Sequence, residues 1–299
     1  MTDDASPALW VREIHKDQVG LSFKVEETLF SETSPYQRVD VVQTRGHGAM
    51  LINNGVIMLS ERDEFVYHEM IAHVPLFVHP TPRRVLIIGG GDGGTAREVL
   101  RHPSVERAVM VEIDETVVRA CREHLPDVSA ALDDPRLDLR IDDGVRFVHE
   151  TTGRFDVVLV DSTDPVGPAA PLFDRAFYED VSRILADDGI LVTQAESPFY
   201  DPELQRPMLE NQRPFFSRLH LYLFSTLTYP GGLWSFGFAS KGLCPWKDFD
   251  PERVRRANID FQYYNPEIHR AAFCLPTFIR SALSGVIDPI PPNGGDDAA

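Results

Sequence analysis

Apolar and polar residues alternate along QRVDVVQT, the period-2 pattern of a half-buried strand. AMLINNGVIML places Asn53-Asn54-Gly55 between two apolar runs, a short-range hairpin signal. Residues 1 to about 60 therefore read as strands. The period changes at Arg62, where Phe65, Met70, Ile71 and Val74 predict one helix that runs on past Pro75, Pro80 and Pro82. An α/β alternation follows. RRVLIIGG is a buried-strand run ending in glycines, TAREVLRH is helical, RAVMVEI is a second strand and DETVVRACREHL a second helix. LDLRIDDG and FDVVLVDS read as the third and fourth strands, and GILVTQAES, after the helical FDRAFYEDVSRIL, as the fifth. Near-continuous apolar strands separated by helices predict an α/β fold with a mostly parallel sheet covered on both faces. HLYLFSTLTY and LWSFGFAS add two strand-like runs, and the tail from about Ser284, rich in Pro, Gly and Asp, reads as mobile. The pattern divides the chain into a β-strand domain at 1–62, an α/β domain at 63–284 and a tail at 285–299.

Composition narrows the partners. Forty-six acids against 29 Lys and Arg give a formal charge of −17 over 299 residues, which argues against nucleic acid and is compatible with cationic ligands. Cys121, Cys244 and Cys274 lie far apart, with neither a disulfide framework nor metal-ligand spacing. No apolar run approaches the roughly 18 residues that span a bilayer, and no signal peptide is evident, so the chain reads as cytoplasmic.

The strongest local chemical signal is GGGDGG, Gly89 to Gly94, between a strand and a helix. Glycines there let backbone N–H groups and a helix N-terminus approach a ligand closely, and five in six residues exceed what a plain turn needs. Glu112 ends the second strand, placed to accept both hydroxyls of a ribose, whereas Asp114 reads as the next helix's N-cap. Asp92 inside the glycine loop disfavours a pyrophosphate and would repel the carboxylate of S-adenosylmethionine; a ligand carrying an ammonium alone would suit it. Asp143 in DDG stands where it can meet an adenine amino group, cap a helix, or do both. Asp161 and Asp164 in DSTDP close the fourth strand and Glu196 the fifth, three carboxylates on one rim that resemble a cation site. His47, His73, His79 and His102 lack ligand spacing and read as surface or packing residues; Phe215, Phe216, Tyr222 and Phe224 read as core, and His269 and Arg270 as ties for the tail.

In order, GGGDGG, VEID, DDG, DSTDP and TYPGG, with ERDEFVYHEM upstream and YYNPEIHRAAFCLP downstream, resemble the spermidine synthases and related aminopropyltransferases. The resemblance covers about residues 10–284. It implies a small N-terminal β domain on a Rossmann-like, class I methyltransferase-like domain, assembled as a homodimer or homotetramer. It implies transfer of an aminopropyl group from decarboxylated S-adenosylmethionine to a diamine, with putrescine the commonest acceptor and agmatine or cadaverine as alternatives. Matching positions for the donor are Gln37, His68, Asp92, Glu112, Asp143 and Gly144, beside Gly89 and Gly91 of the loop; for the acceptor they are Tyr67, Asp161, Asp164, Tyr229 and Trp234. Asp161 is then the expected proton acceptor, Tyr67 orients the nucleophile, and residues 162–172 form a loop over the site. No metal or cofactor is expected, because the donor is a co-substrate. An S-adenosylmethionine methyltransferase and a non-catalytic polyamine-binding protein are the rival readings.

Overall fold

The computed structural model describes residues 9–165 and 167–290. The first five strands, β1 (Leu9–His15), β2 (Val19–Thr33), β3 (Arg38–Thr44), β4 (Gly48–Asn53) and β5 (Val56–Ser60), form an antiparallel sheet in chain order. Asn53 pairs with Val56 across a two-residue turn, and Asn54 and Gly55 both take positive φ (50° and 84°), which is why Asn-Gly serves there.

Helix α1 (Glu64–Val78) follows, with every residue except Phe65 buried. It contains Pro75 but stops before Pro80 and Pro82, short of the run predicted from sequence. The second sheet comprises β6 (Arg84–Gly89), β7 (Arg107–Glu112), β8 (Leu137–Ile141), β9 (Phe155–Asp161), β10 (Leu185–Gln194), β11 (Arg218–Ser225) and β12 (Leu233–Ser240), in the order β11-β12-β10-β9-β6-β7-β8. Strands β8, β7, β6, β9 and β10 are parallel, whereas the β11–β12 hairpin adds an antiparallel end, so the fold is Rossmann-like with a mostly parallel sheet. Alternate side chains of β6 enter opposite layers. Val85 and Ile87 join the core with α1 and α2 (Gly94–Leu100); Leu86 and Ile88 join the core on the other face, with α5 (Arg175–Ile184) and α6 (Pro202–Gln212). Between β7 and β8 lies α3 (Glu115–His124), and between β8 and β9 lies α4 (Gly144–Glu150). Short helices α7 (Pro251–Arg256), α8 (Pro266–Ala272) and α9 (Thr277–Ala282) close the described chain; these and α6 had no counterpart in the sequence pattern.

Two groups of contacts are prominent among those that fix the N-terminal sheet to the larger unit. Val39, Val41, Leu51 and Leu59 share a buried cluster with Val117, Ala120 and Cys121 of α3. Asp63 accepts hydrogen bonds from Ser60, Thr226, Leu227 and Thr228, tying the inter-sheet linker to the loop after β11. At the other end, the first residues of the expected tail pack back on the domain: Val286 is buried, and the Asp288 backbone N–H donates to the Leu219 carbonyl at 2.7 Å while its carboxylate accepts from the Leu219 N–H at 2.8 Å. The remainder of the expected tail, 291–299, lies outside the described residues. Among the described residues no helix is long and apolar enough to cross a membrane.

Candidate active site

The carboxyl ends of β6 and β9 meet at the switch point of the sheet, where a doubly wound fold opens its ligand crevice. A cavity of about 420 Å³ lies there, roofed by Asn53, Ile57 and Met58 of the N-terminal sheet. The glycine loop is its floor. Gly89 and Gly90 have φ of 83° and 70°, and the Gly90 N–H donates to the Asp161 carbonyl at 2.9 Å. A Cβ on Gly89 would stand 2.0 Å from that carbonyl oxygen, and one on Gly91 would stand 2.9 Å from Glu112. The glycines thus let β9 and the end of β7 close against the loop.

Asp92 does not face the cavity alone. Its Oδ1 accepts from the Gly94 N–H at 2.7 Å and lies 3.2 Å from His68 Nε2, while His68 Nδ1 lies 2.5 Å from Glu64. Burial works against a charged imidazole here, but Asp92 and Glu64 outweigh it and raise the His68 pKa to about 10. Asp92 is correspondingly held below the usual carboxylate range despite its burial, chiefly by His68. Asp161 moves the other way, to about 6, through burial and then the charge of Asp92. Thr95 donates to Asp161 Oδ2 at 2.7 Å, and the Tyr67 hydroxyl is kept protonated by burial and by the nearby charge of Asp161. One acid of the pair is therefore ionised at neutral pH, and the other sits close to its titration point.

One atom each of His68, Asp92 and Asp161 lies within 4.8 Å of the other two. Both His68 nitrogens face carboxylates, Nδ1 toward Glu64 and Nε2 toward Asp92, so the ring is engaged on both sides within this cluster.

On the side toward β7 and β8, Glu112 accepts from the Gly91 and Asp114 N–H groups at 3.1 and 2.9 Å, and its pKa rises to about 7, first through burial. Asp114 caps α3, and its other oxygen receives Ser34 and Gln37, so Gln37 reaches the cavity edge already oriented. Asp143 caps α4 through Val145 and Arg146 and also lines the cavity. Gly144 is pressed on Ile88, where a Cβ would fall 2.6 Å from Cγ2.

The opposite end is walled by Tyr67, Tyr229 and Trp234, with ring centroids 6.1 Å apart for the first pair and 5.2 Å for the second. Asp164 lies beyond them. Glu196 does not join it on the rim: it is 1% exposed, takes a hydrogen bond from Gln194 and stands behind the lining, and burial followed by the charge of Asp164 lifts its pKa to about 8. The Gln194 amide that donates to Glu196 also reaches Asp164, at 3.5 Å, so Glu196 stands one side chain behind the acids that line the cavity. Glu13 and His15 of β1 line this end instead. Sequence analysis passed over both. Their signal was available, because they fall at the two inward positions of LWVREIH, where apolar residues belong. Glu13 receives the Ile57 N–H at 2.8 Å and is raised to about 7, mainly by burial. Glu64, Thr95 and Arg97 were likewise unforeseen.

The remaining residues singled out in the sequence serve packing. His73 lies 2.9 Å from His102 and 3.0 Å from Glu98 in the interior, His47 packs edge-on against Phe23, and His79 is buried. His269 stacks on Phe249 and contacts the Tyr264 hydroxyl, and burial lowers its pKa to about 3.

These shifts predict a pH effect on stability. Glu13, Glu112, Glu196 and His68 all bind protons more tightly folded than unfolded, so their stabilising protons are lost as pH rises through their folded values. The lowered histidines oppose this trend near their ordinary value of 6.5, and their contribution fades as pH rises above it while that of the raised groups persists. Tm of the ligand-free protein should fall between pH 6.5 and about 8. A flat or rising Tm in calorimetry would contradict the assignment.

Comparison with known proteins agrees with this geometry. Residues 64–250 match the family model of the spermine/spermidine synthase domain, and residues 9–61 that of the spermidine synthase tetramerisation domain. The polyamine aminopropyltransferase of Caldicellulosiruptor saccharolyticus is 45% identical over 279 residues, covering 93% of this chain and 99% of the relative. That of Thermoanaerobacter sp. (strain X514) is 47% identical over 281 residues, again 93% and 99%. Among solved structures, the spermidine synthase from Thermotoga maritima superposes with a TM-score of 0.89 at 44% identity, over 92% of this chain and 94% of that one. A spermidine synthase in complex with the transition-state analogue AdoDATO gives 0.90 at 44% identity, over the same shares.

Proposed function

Because this chain belongs to the spermine/spermidine synthase family and is a polyamine aminopropyltransferase, we propose that it moves the aminopropyl group of decarboxylated S-adenosylmethionine to putrescine. The carrying observation is one continuous cavity lined by Gln37, Glu112 and Asp143, by the Asp92–Asp161 pair, and by Tyr67, Tyr229 and Trp234 with Asp164 and Glu13. In this reading Glu112 accepts the ribose hydroxyls, Asp143 and Gln37 face the base, and Ile88, Val111 and Val145 give it an apolar slot. The donor ammonium lies on Asp92.

The acceptor nitrogen attacks the carbon beside the sulfonium. The C–N bond forms as the C–S bond breaks, its electron pair stays on sulfur, and methylthioadenosine leaves as a neutral thioether. The amine proton passes to Asp161. An alkyl amine of Lys-like pKa loses about 4–5 kcal/mol in exposing its lone pair at pH 7. A desolvated carboxylate close to its titration point, aligned on that nitrogen, is well placed to take the proton in the transition state. The sulfonium is already an activated leaving group, so the step needs no metal and no second cofactor.

Donor choice rests on both acids rather than on Asp92 alone, since His68 offsets much of the Asp92 charge. A donor carboxylate would meet Asp161 as well, and like charges so placed cost several kcal/mol. Decarboxylated S-adenosylmethionine should therefore exceed S-adenosylmethionine by at least about 100-fold in kcat/KM, about 2.7 kcal/mol. Tyr229 and Trp234 flank a short methylene chain, and Asp164 with Glu13 faces its far ammonium, which favours a diamine. Mass spectrometry of products from both donors with putrescine, cadaverine, agmatine and spermidine tests both choices. Methylated amines would refute the donor, and a higher kcat/KM for another amine would replace the acceptor. The match of residues 9–61 to a tetramerisation domain supports assembly as a homodimer or homotetramer, and we place the enzyme in the cytoplasm.

A further inference from the structure

We infer that Glu64 is a positioning residue for the donor, acting through His68 on Asp92. The inference rests on the proposed donor. Glu64 opens α1, is only 8% exposed in its side chain and is absent from the cavity lining, so it does not touch a ligand itself. One helical turn on, its carboxylate faces His68 Nδ1 at 2.5 Å and fixes which way that ring points. The ring's other nitrogen then faces Asp92 Oδ1, which the Gly94 N–H also engages. Both contacts fall on Oδ1, which leaves Oδ2 open to a ligand. The ring is confined as well: a Cβ on Gly94 would stand 2.3 Å from it.

Glu64 is in turn held from behind. Arg97 donates to it at 2.9 Å and to Glu98 at 2.9 Å, and Glu98 is clamped by Arg101 at 2.7 Å and His73 at 3.0 Å. From the cavity inward, Asp92, His68, Glu64, Arg97 and Glu98 alternate in sign. A buried carboxylate is costly unless it is paired and hydrogen-bonded, and here the pairing is used to aim His68. Without Glu64, the His68 Nδ1–H loses its acceptor, the ring can turn, and Asp92 loses its fixed partner.

The test is calorimetric titration of the wild type, E64L and E64Q with decarboxylated S-adenosylmethionine and, separately, with methylthioadenosine. The second ligand shares the nucleoside but carries no ammonium for Asp92. In E64L, donor affinity should fall at least about tenfold, the scale on which loss of an orienting partner acts at a binding site. Methylthioadenosine affinity should stay within about twofold. E64Q keeps the volume and an acceptor but not the charge, which guards against a misfolded E64L; it should lose about threefold for the donor alone. Unchanged donor affinity in E64Q, or equal loss for both ligands, would overturn the positioning role. A wild type that binds methylthioadenosine but not the donor would remove the proposed donor, and this inference with it.

Discussion

Asp161→Asn should lower kcat at saturating donor and acceptor by at least about 100-fold, or about 2.7 kcal/mol of transition-state stabilisation. The substitution keeps the side chain's size and an oxygen for Thr95, which donates at 2.7 Å, and it leaves untouched the backbone carbonyl that receives the Gly90 N–H. The fold and the nucleoside end should therefore survive, with methylthioadenosine affinity close to that of the wild type. What disappears is the proton acceptor. In the wild type, kcat/KM should also fall on the acid side with an apparent pKa near 6, a value that belongs to the Asp92–Asp161 pair as a unit. Protonating Asp161 removes the base, so activity is lost as pH drops through that value and kept above it. Initial rates across pH, with the variant in parallel, check both statements. A rate for the variant within a few-fold of wild type would exclude Asp161 as the base.

Gly89→Ala should damage stability and activity together. At a φ of 83° an L-residue costs about 1–2 kcal/mol. Its Cβ would also lie 2.0 Å from the Asp161 carbonyl oxygen, a backbone atom that cannot swing aside. Relief requires β6 and β9 to separate at the switch point, breaking the Gly90–Asp161 hydrogen bond and shifting the base away from the donor. A loss of about 3 kcal/mol or more corresponds to a Tm fall of about 5 °C or more for a chain of this size. Activity should drop at least about 100-fold, because displacing a catalytic group by an ångström is enough for that. Gly46→Ala is the control: nothing lies within 4 Å of its Cβ, and it should change stability by no more than about 0.5 kcal/mol. Equal Tm and activity for the two variants would contradict the close-approach argument.

The strands, the hairpin at Asn54-Gly55 and the glycine loop were legible in the sequence because each is a local matter. Alternation, turn chemistry and positive φ are written in neighbouring residues, so β6, β7 and β9 and their terminal acids Glu112 and Asp161 could be placed in advance. Even the dual position of Asp143, capping α4 while lining the cavity, follows from its place at a strand end before a helix. Short helices such as α8, opened by Pro266 and capped by Asn265, carry too few turns to show a period.

Charge state and facing were decided by the tertiary structure. Glu64 meets His68 one turn along the same helix, a local pairing, but nothing local marks Arg97 as the partner of Glu64 or Asp92 as the partner of His68; those depend on α1 packing against α2 and the glycine loop. Glu196 ends the fifth apolar run as Asp161 ends the fourth, and only the third dimension turns one toward the cavity and leaves the other behind Gln194. Glu13 enters from a strand about 150 residues away from Asp164 in sequence. The physical reason is range. Backbone preference acts over a few residues, whereas desolvation and Coulomb interaction act through space between segments that only the folded chain brings together.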